Sequence, residues 1–352
     1  MKILYVLPSL ANTAPIAVAL QLVNACIRVG YSVEVAYFDN IIELEFPCYT
    51  FKIKMKDNMD FDRYDIIHSH MRRPDKYVAI HRKSIAKAIT VSTIHCDIFD
   101  DLKYSYGSFI AYIYTKIWIE KLKKFDYTVQ VSQFLMVKYS DYFKNNYLIS
   151  NGVKLCKQDI GKYTTIKNKI EEYHTNNKYK VILSYSNINK RKGLHQILYA
   201  LSQREDLAYI CIGNGENLEN LKKLTNKLKL KHRVSFFPFV SAPYNLIPYV
   251  DVVAITSYSE SFCLALHEAG MMGASVICSD IPAFKDVFTE NEVCFFELDN
   301  SKSFLQAVSN ALTCNRAVKL REKELKYFTV EIMQNNYLKL YRSIAKRDSL
   351  DD

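Results

Sequence analysis

Short apolar runs recur along the chain, and between several of them lies an apolar stripe with the spacing of a helix. Lys2 to Leu7 reads as a buried strand, Pro15 to Val29 as a helix closed by Gly30, and Ser32 to Phe38 as the next strand. Pro15 suits a first helical turn, where its missing N–H costs nothing. Residues 61–70, FDRYDIIHSH, predict a strand that puts His68 and His70 on one face, and ITVSTIH predicts another that ends at His95. DYTVQVS (126–132) and NYLISNGV (146–153) close this first series. Residues 154–178 are polar, rich in Lys, Asn and Thr, and lack a strong period. A second series follows, with strands expected in KVILSYS, LAYICIG and RVSFFPFV and in the stretch 251–282. From Asn300 the pattern is helical: MQNNYLKLYRSI carries the stripe of a closing helix and DSLDD reads as a frayed tail. This alternation predicts an α/β protein of two domains, 1–155 and 179–332, joined by a linker at 156–178, with a last helix and tail at 333–352.

The stretch 251–282, DVVAITSYSESFCLALHEAGMMGASVICSDIP, organises the second series. Asp251 to Ile255 predicts a buried strand, Thr256 to Phe262 a polar loop, Cys263 to Met272 a helix stopped by Gly273, and Ala274 to Cys278 the next strand. In such units ligands sit outside the carboxyl ends of the strands. The free N–H groups of a helix start can hold a phosphate, which makes Ser261, Phe262, Cys263 and Leu264 candidate binding residues. Glu260 in the loop and Glu268 in the helix would repel that phosphate unless they face something else. Sugar hydroxyls are the natural partners, because an ionised carboxylate accepts two of them unaided.

Composition narrows the class. A chain of 352 residues can bury two cores, and 49% hydrophobic with 24% charged residues is the make-up of a globular enzyme. No apolar run reaches the length that spans a bilayer, and MKILYVLPSL reads as a first buried strand rather than a signal peptide. Nine Cys, scattered singly with no CxxC, suit a reduced, cytoplasmic compartment. The formal charge is +10, and residues 72–124 alone hold eleven Lys and Arg against five acids. Within them 104–125, YSYGSFIAYIYTKIWIEKLKKF, is an aromatic and apolar stripe with a lysine-rich end, either a core helix or one resting on an anionic membrane surface. Nucleic acid would also explain the charge, but no nucleic-acid module is seen. His68 and His70 lack a third ligand at suitable spacing, so no metal site is expected.

The two Glu separated by seven residues, the SF turn after the first, the small residue and Gly after the second, and the apolar strand ending in SD resemble the donor-site signature of the family 4 retaining glycosyltransferases. The resemblance implies a GT-B fold, two Rossmann-like domains facing across a cleft. It implies that Lys192, followed by Gly193 in NINKRKG, grips the diphosphate of a nucleotide-sugar donor, a UDP-sugar more than a GDP-sugar. The family's second cation, an Arg at the end of the preceding strand, falls here on Asn187, with Arg191 or Lys190 as substitutes. Gly213, in LAYICIGNGE, would allow close backbone approach. Glu268 is implied to accept the ribose hydroxyls, Glu260 to hold the donor sugar, and His95 to stand beside the transferred sugar. SLANTAP replaces the family's Gly-rich turn, with Asn12 as the residue able to take positive φ. The implied activity is a retaining hexosyltransferase that needs no cofactor or metal, acting on a lipid-linked oligosaccharide acceptor at the inner face of the cytoplasmic membrane. Lipopolysaccharide, O-antigen or capsule synthesis would be its setting. A sugar-nucleotide epimerase on the same fold and a non-catalytic nucleotide-sugar binder are the alternatives.

Overall fold

The structure, a computed structural model, describes residues 1–156, 159–175 and 178–348. The chain divides into two compact units, one made of Met1–Gly152 together with the segment from Thr329 onward, the other of Val153–Phe328.

In the first unit the strands β1 (Lys2–Leu7), β2 (Ser32–Tyr37), β3 (Tyr49–Lys52), β4 (Ile66–His70), β5 (Ile89–Ile94), β6 (Tyr127–Gln130) and β7 (Asn146–Leu148) form one sheet. All neighbours are parallel and the order is β3-β2-β1-β4-β5-β6-β7. The order reverses between β1 and β4, which is where a parallel sheet opens a crevice at its carboxyl end. The helices α1 (Ala14–Arg28), α2 (Arg72–His81), α3 (Ile98–Tyr106), α4 (Ser108–Leu122) and α5 (Gln133–Lys138) connect the strands. Pro15 lies in the first turn of α1, whose buried stripe Ile16, Ala19, Leu22, Val23 and Cys26 covers one face of the sheet. Near-continuous burial of β1, β4 and β5 is what strands covered on both faces require.

In the second unit β8 (Lys180–Tyr185), β9 (Leu207–Ile212), β10 (Val234–Phe237), β11 (Val252–Ile255), β12 (Val276–Ser279) and β13 (Cys294–Phe296) form a parallel sheet of order β10-β9-β8-β11-β12-β13. Its reversal lies between β8 and β11. Around it run α6 (Thr164–His174), α7 (His195–Leu201), α8 (Leu218–Lys227), α9 (Leu264–Met271), α10 (Pro282–Lys285), α11 (Ser301–Thr313) and α12 (Ala317–Tyr327). The last helix, α13 (Val330–Asp348), belongs to the first unit. There Met333, Tyr337 and Tyr341 join the core, and the Tyr341 hydroxyl lies 2.8 Å from that of Tyr5.

Several expectations are corrected. The polar stretch 156–178 is no plain linker: α6 buries Ile166, Ile170 and Tyr173, and that three-to-four spacing was masked by the polar residues between them. Residues 157, 158, 176 and 177 of that stretch, and 349–352 of the expected tail, lie outside the described residues. Residues 61–70 begin as a 3-10 turn at Phe61–Arg63, and only Ile66–His70 is strand. The stripe 104–125 is two helices, broken at Gly107 with φ of +82°. Asn12 does not take positive φ; Thr13 precedes α1 in an extended conformation instead.

Candidate functional site

At the reversal of the second sheet two loops meet, 186–193 after β8 and 256–263 after β11. Hydrogen bonds join them: Thr256 Oγ1 donates to the Lys192 carbonyl (2.8 Å), Tyr258 N to the Arg191 carbonyl (2.8 Å), and Gln196 Nε2 to the Thr256 carbonyl (2.9 Å). Gly193 makes the junction possible. Its φ is +60°, and a Cβ there would sit 2.2 Å from the Thr256 carbonyl oxygen.

The charged groups of the two loops converge on Glu260, which is 6% exposed. Lys192 Nζ lies 2.5 Å from its Oε1, Ser257 Oγ donates to the same oxygen at 2.7 Å, and Arg191 Nη1 is 3.5 Å from Oε2. Burial alone would raise the Glu260 carboxyl; Lys192 first and Arg191 next outweigh it and hold the group below the ordinary carboxylate range. Glu260 is therefore an ionised, buried anion. Arg191 also donates to the Ser259 carbonyl at 2.8 Å. Lys192, expected on a phosphate, rests on a carboxylate here because Glu260 is the strongest acceptor within its reach.

The same loop turns into α9 through Cys263, whose φ of +63° is uncommon for a residue with a side chain. The Cys263 side chain makes no cap hydrogen bond to α9; the Leu266 N–H donates to the Cys263 carbonyl at 3.0 Å, and the N–H groups ahead of it, of Leu264 and Ala265, are the ones a ligand could use. Ser261, Phe262 and Cys263 are buried. Phe262 stacks on His267 at 3.9 Å with an interplanar angle of 11°, and His267 Nδ1 pairs with Glu324 at 2.8 Å. Packing thus takes the side chain of Phe262, and what it can offer a ligand is its main chain. Burial pushes the Cys263 thiol up to about 12, which removes it as a nucleophile.

Glu268 lies further along α9, half-buried. Burial raises its carboxyl to about 7, against a hydrogen bond from Tyr185 that lowers it. The Tyr185 hydroxyl also lies 3.0 Å from the Ala265 carbonyl, tying the end of β8 to α9. Asn187 is exposed, and a Cβ on Gly215 would meet its Oδ1 at 2.7 Å. Gly213 is needed by the chain itself: a Cβ there would lie 1.9 Å from the Ser186 carbonyl oxygen. Its missing side chain lets loop 186–188 pack.

The histidines belong to the first unit. His68 is buried between the Tyr341 hydroxyl (2.6 Å) and Thr93 Oγ1 (2.8 Å), a core residue. His70 Nδ1 lies 2.8 Å from His95 Nε2, while the buried Nε2 of His70 has no partner. Burial lowers His68 and His95 to about 3 and His70 well below its ordinary value, so the cluster is neutral. His95 is largely buried, just past the carboxyl end of β5. Among the described residues no three His, Cys, Asp or Glu side chains form a metal-ligating group.

Comparison with known proteins fits this geometry. Residues 165–327 match the family model of the glycosyl transferases group 1. The O-antigen biosynthesis glycosyltransferase WclY of Escherichia coli is 29% identical over 322 residues, 88% of this chain and 89% of that protein. The O-antigen chain mannosyltransferase RfbU of Salmonella typhimurium is 26% identical over 195 residues, 48% of this chain and 54% of that one. HepE of Anabaena, solved in complex with UDP-glucose, shares the fold with a TM-score of 0.79 at 17% identity, over 97% of this chain and 100% of that one. The chain has the GT-B fold.

The group 1 match lies inside the second unit and takes in every candidate residue from Asn187 to Glu268; His95 lies outside it. Sequence reasoning missed Ser257, Tyr258 and Tyr185. The signal was present in TSYSES, where hydroxyls flank a Glu that must be buried beside cations, but nothing in the spacing said which of them would reach it.

Proposed function

We propose that the protein transfers a hexose from a UDP-sugar, with retention, to a saccharide acceptor carried on a lipid, in the synthesis of O-antigen or lipopolysaccharide. The observation that carries this reading is the meeting of Lys192, Arg191, Glu260 and the start of α9 at the sheet reversal. The likeness to WclY supports the O-antigen setting, and the UDP-glucose bound to HepE supports the donor class.

Each group then has a task. The start of α9 and Lys192 meet the diphosphate, and Arg191 serves where Asn187 stands in place of a cation. Glu268 accepts the ribose hydroxyls. Glu260 holds Lys192 and Arg191 toward the phosphates and has a carboxylate lone pair left for a hydroxyl of the donor sugar. The acceptor oxygen bonds to the anomeric carbon on the face from which the diphosphate leaves, and the acceptor proton passes to the departing phosphate oxygen. That reaction needs no protein nucleophile, and charge growing on the diphosphate meets groups already in place. His95, a neutral imidazole, would hydrogen-bond the transferred sugar or the acceptor.

A lipid acceptor places the reaction at a membrane. Supporting this, Phe109 is 78% exposed and Tyr112 54% exposed on α4, beside Lys116. Among the described residues no helix is long and apolar enough to cross a membrane, so the association proposed is peripheral, on the anionic cytoplasmic face.

The test incubates the protein with UDP-glucose, UDP-galactose and UDP-N-acetylglucosamine, with and without a membrane extract as acceptor source. UDP release that depends on the extract, with an α-linked product by NMR, is expected. An isomerised sugar nucleotide formed without acceptor would make the protein an epimerase, and an inverted anomer would overturn retention.

A further inference from the structure

The first unit carries a cavity of about 260 Å³ between α2 and α4 that the donor reading does not use. Arg72, Arg73, Lys76 and Lys121 line it. Of these, Arg73 pairs with Asp39; among the described residues Arg72, Lys76 and Lys121 have no carboxylate partner. Cations gathered around one space repel one another unless an anion enters it.

Apart from Lys121, the α4 side of the cavity is apolar, made of Tyr114, Ile117 and Trp118. It is a built wall. Trp118 Nε1 donates at 2.8 Å to Asp75, a fully buried carboxylate that also accepts from Ser69 (2.6 Å) and Ser92 (2.8 Å). Asp75 accepts from these three donors and, among the described residues, forms no ion pair with the cations of the cavity. Arg72 is held over the Tyr114 ring at 5.3 Å. From this wall an apolar stripe runs toward the start of α4. Ile117 (48% exposed), Ile113 (43%) and Phe109 (78%) follow one another at four-residue steps, so they lie on one face. A helix in water does not keep such a stripe bare without a partner for it.

A cationic pocket that opens onto an apolar helical track matches an amphiphile with a phosphate head and a hydrocarbon tail. We propose that this cavity binds the phosphate or diphosphate headgroup of a lipid, with the chain lying along Ile117, Ile113 and Phe109. The inference rests on the lipid-acceptor reading above and names the part of the molecule that would read the carrier lipid. A soluble phosphate would use the cations alone and leave the track bare.

The probe is farnesyl diphosphate, titrated by calorimetry into the full chain with UDP in excess so that the donor site is filled. Inorganic diphosphate and farnesol are the comparison ligands. Binding of farnesyl diphosphate well above both is expected. The Lys76→Gln/Lys121→Gln double variant should weaken it about tenfold or more, as loss of one or two charge-assisted contacts would, while UDP affinity stays unchanged. Ile117→Ser should weaken farnesyl diphosphate and spare inorganic diphosphate. Equal binding by wild type and the double variant, or inorganic diphosphate binding as tightly as farnesyl diphosphate, would overturn the proposal. Unchanged UDP binding in the same preparation separates that outcome from failure of the donor reading.

Discussion

Lys192 Nζ lies 2.5 Å from Glu260 Oε1, so the cation at the turn after β8 is held by the carboxylate of the loop after β11. Neither residue has an independent position. Coulomb attraction in a buried setting fixes both, and a diphosphate that enters must share Lys192 with Glu260 or draw it away.

Glu260→Gln should leave UDP affinity within about twofold or tighten it, because Lys192 and Arg191 lose their competing anion. Turnover should fall about a hundredfold or more, as expected for a contact made mainly in the transition state. Steady-state kinetics with calorimetry on the same variant checks this. Wild-type turnover would remove Glu260 from the chemistry.

Gly193→Ala would force a side chain to φ of +60° and against the Thr256 carbonyl oxygen. A destabilisation of about 1–3 kcal/mol is expected, with weaker UDP binding as the two loops separate. Thermal melting with and without UDP reports both effects. A variant as stable as wild type would show that the loop contact is soft.

Burial raises Glu268 to about 7, so a carboxylate ready to accept two ribose hydroxyls becomes more populated as pH rises through that value. UDP affinity should therefore increase from roughly pH 6 to pH 8 in wild type, beyond any increase in Glu268→Gln. The variant corrects for ionisation of UDP itself. Parallel pH profiles for the two proteins would take Glu268 out of the binding step.

Asp75 is raised by burial to about 6, against hydrogen bonds from Ser69, Ser92 and Trp118 that lower it. The folded state holds the proton more tightly than the unfolded chain does, so this stabilisation is full below about pH 4 and is lost as pH rises through 6. Relative to Asp75→Asn, wild type should lose about 1 kcal/mol of stability between roughly pH 5 and pH 7. Denaturant unfolding at both pH values measures it. A pH-independent difference would mean that Asp75 is ionised throughout.

The parallel sheets were legible because strands buried on both faces write themselves as apolar runs, as in Lys2–Leu7 and Leu207–Ile212. The loop after β11 was legible too, since Glu260 and Glu268 bracket a helix start that the pattern predicts. What did not show was the direction of side chains. Glu260 looks the same in sequence whether it reaches out to a sugar or inward to Lys192, and only the fold brings residues 192 and 260 together. The helix α6 was hidden because its three buried residues sit among Lys, Asn and Glu, a face too narrow to stand out. At Gly213 the sequence showed a missing side chain but not the Ser186 carbonyl that packs against it.

The central claim is that the crevice at the β8/β11 reversal binds a nucleotide diphosphate, with Glu268 on the ribose and Lys192 on the phosphates. Calorimetric titration of UDP and 2′-deoxy-UDP into wild type, Glu268→Ala and Lys192→Ala tests it most directly. Wild type should prefer UDP over the deoxy ligand about tenfold, the worth of a charge-assisted hydrogen bond. Glu268→Ala should lose that preference, and Lys192→Ala should bind both ligands more weakly while keeping it. Equal affinities of all three proteins for UDP, or a preference that survives in Glu268→Ala, would contradict the assignment.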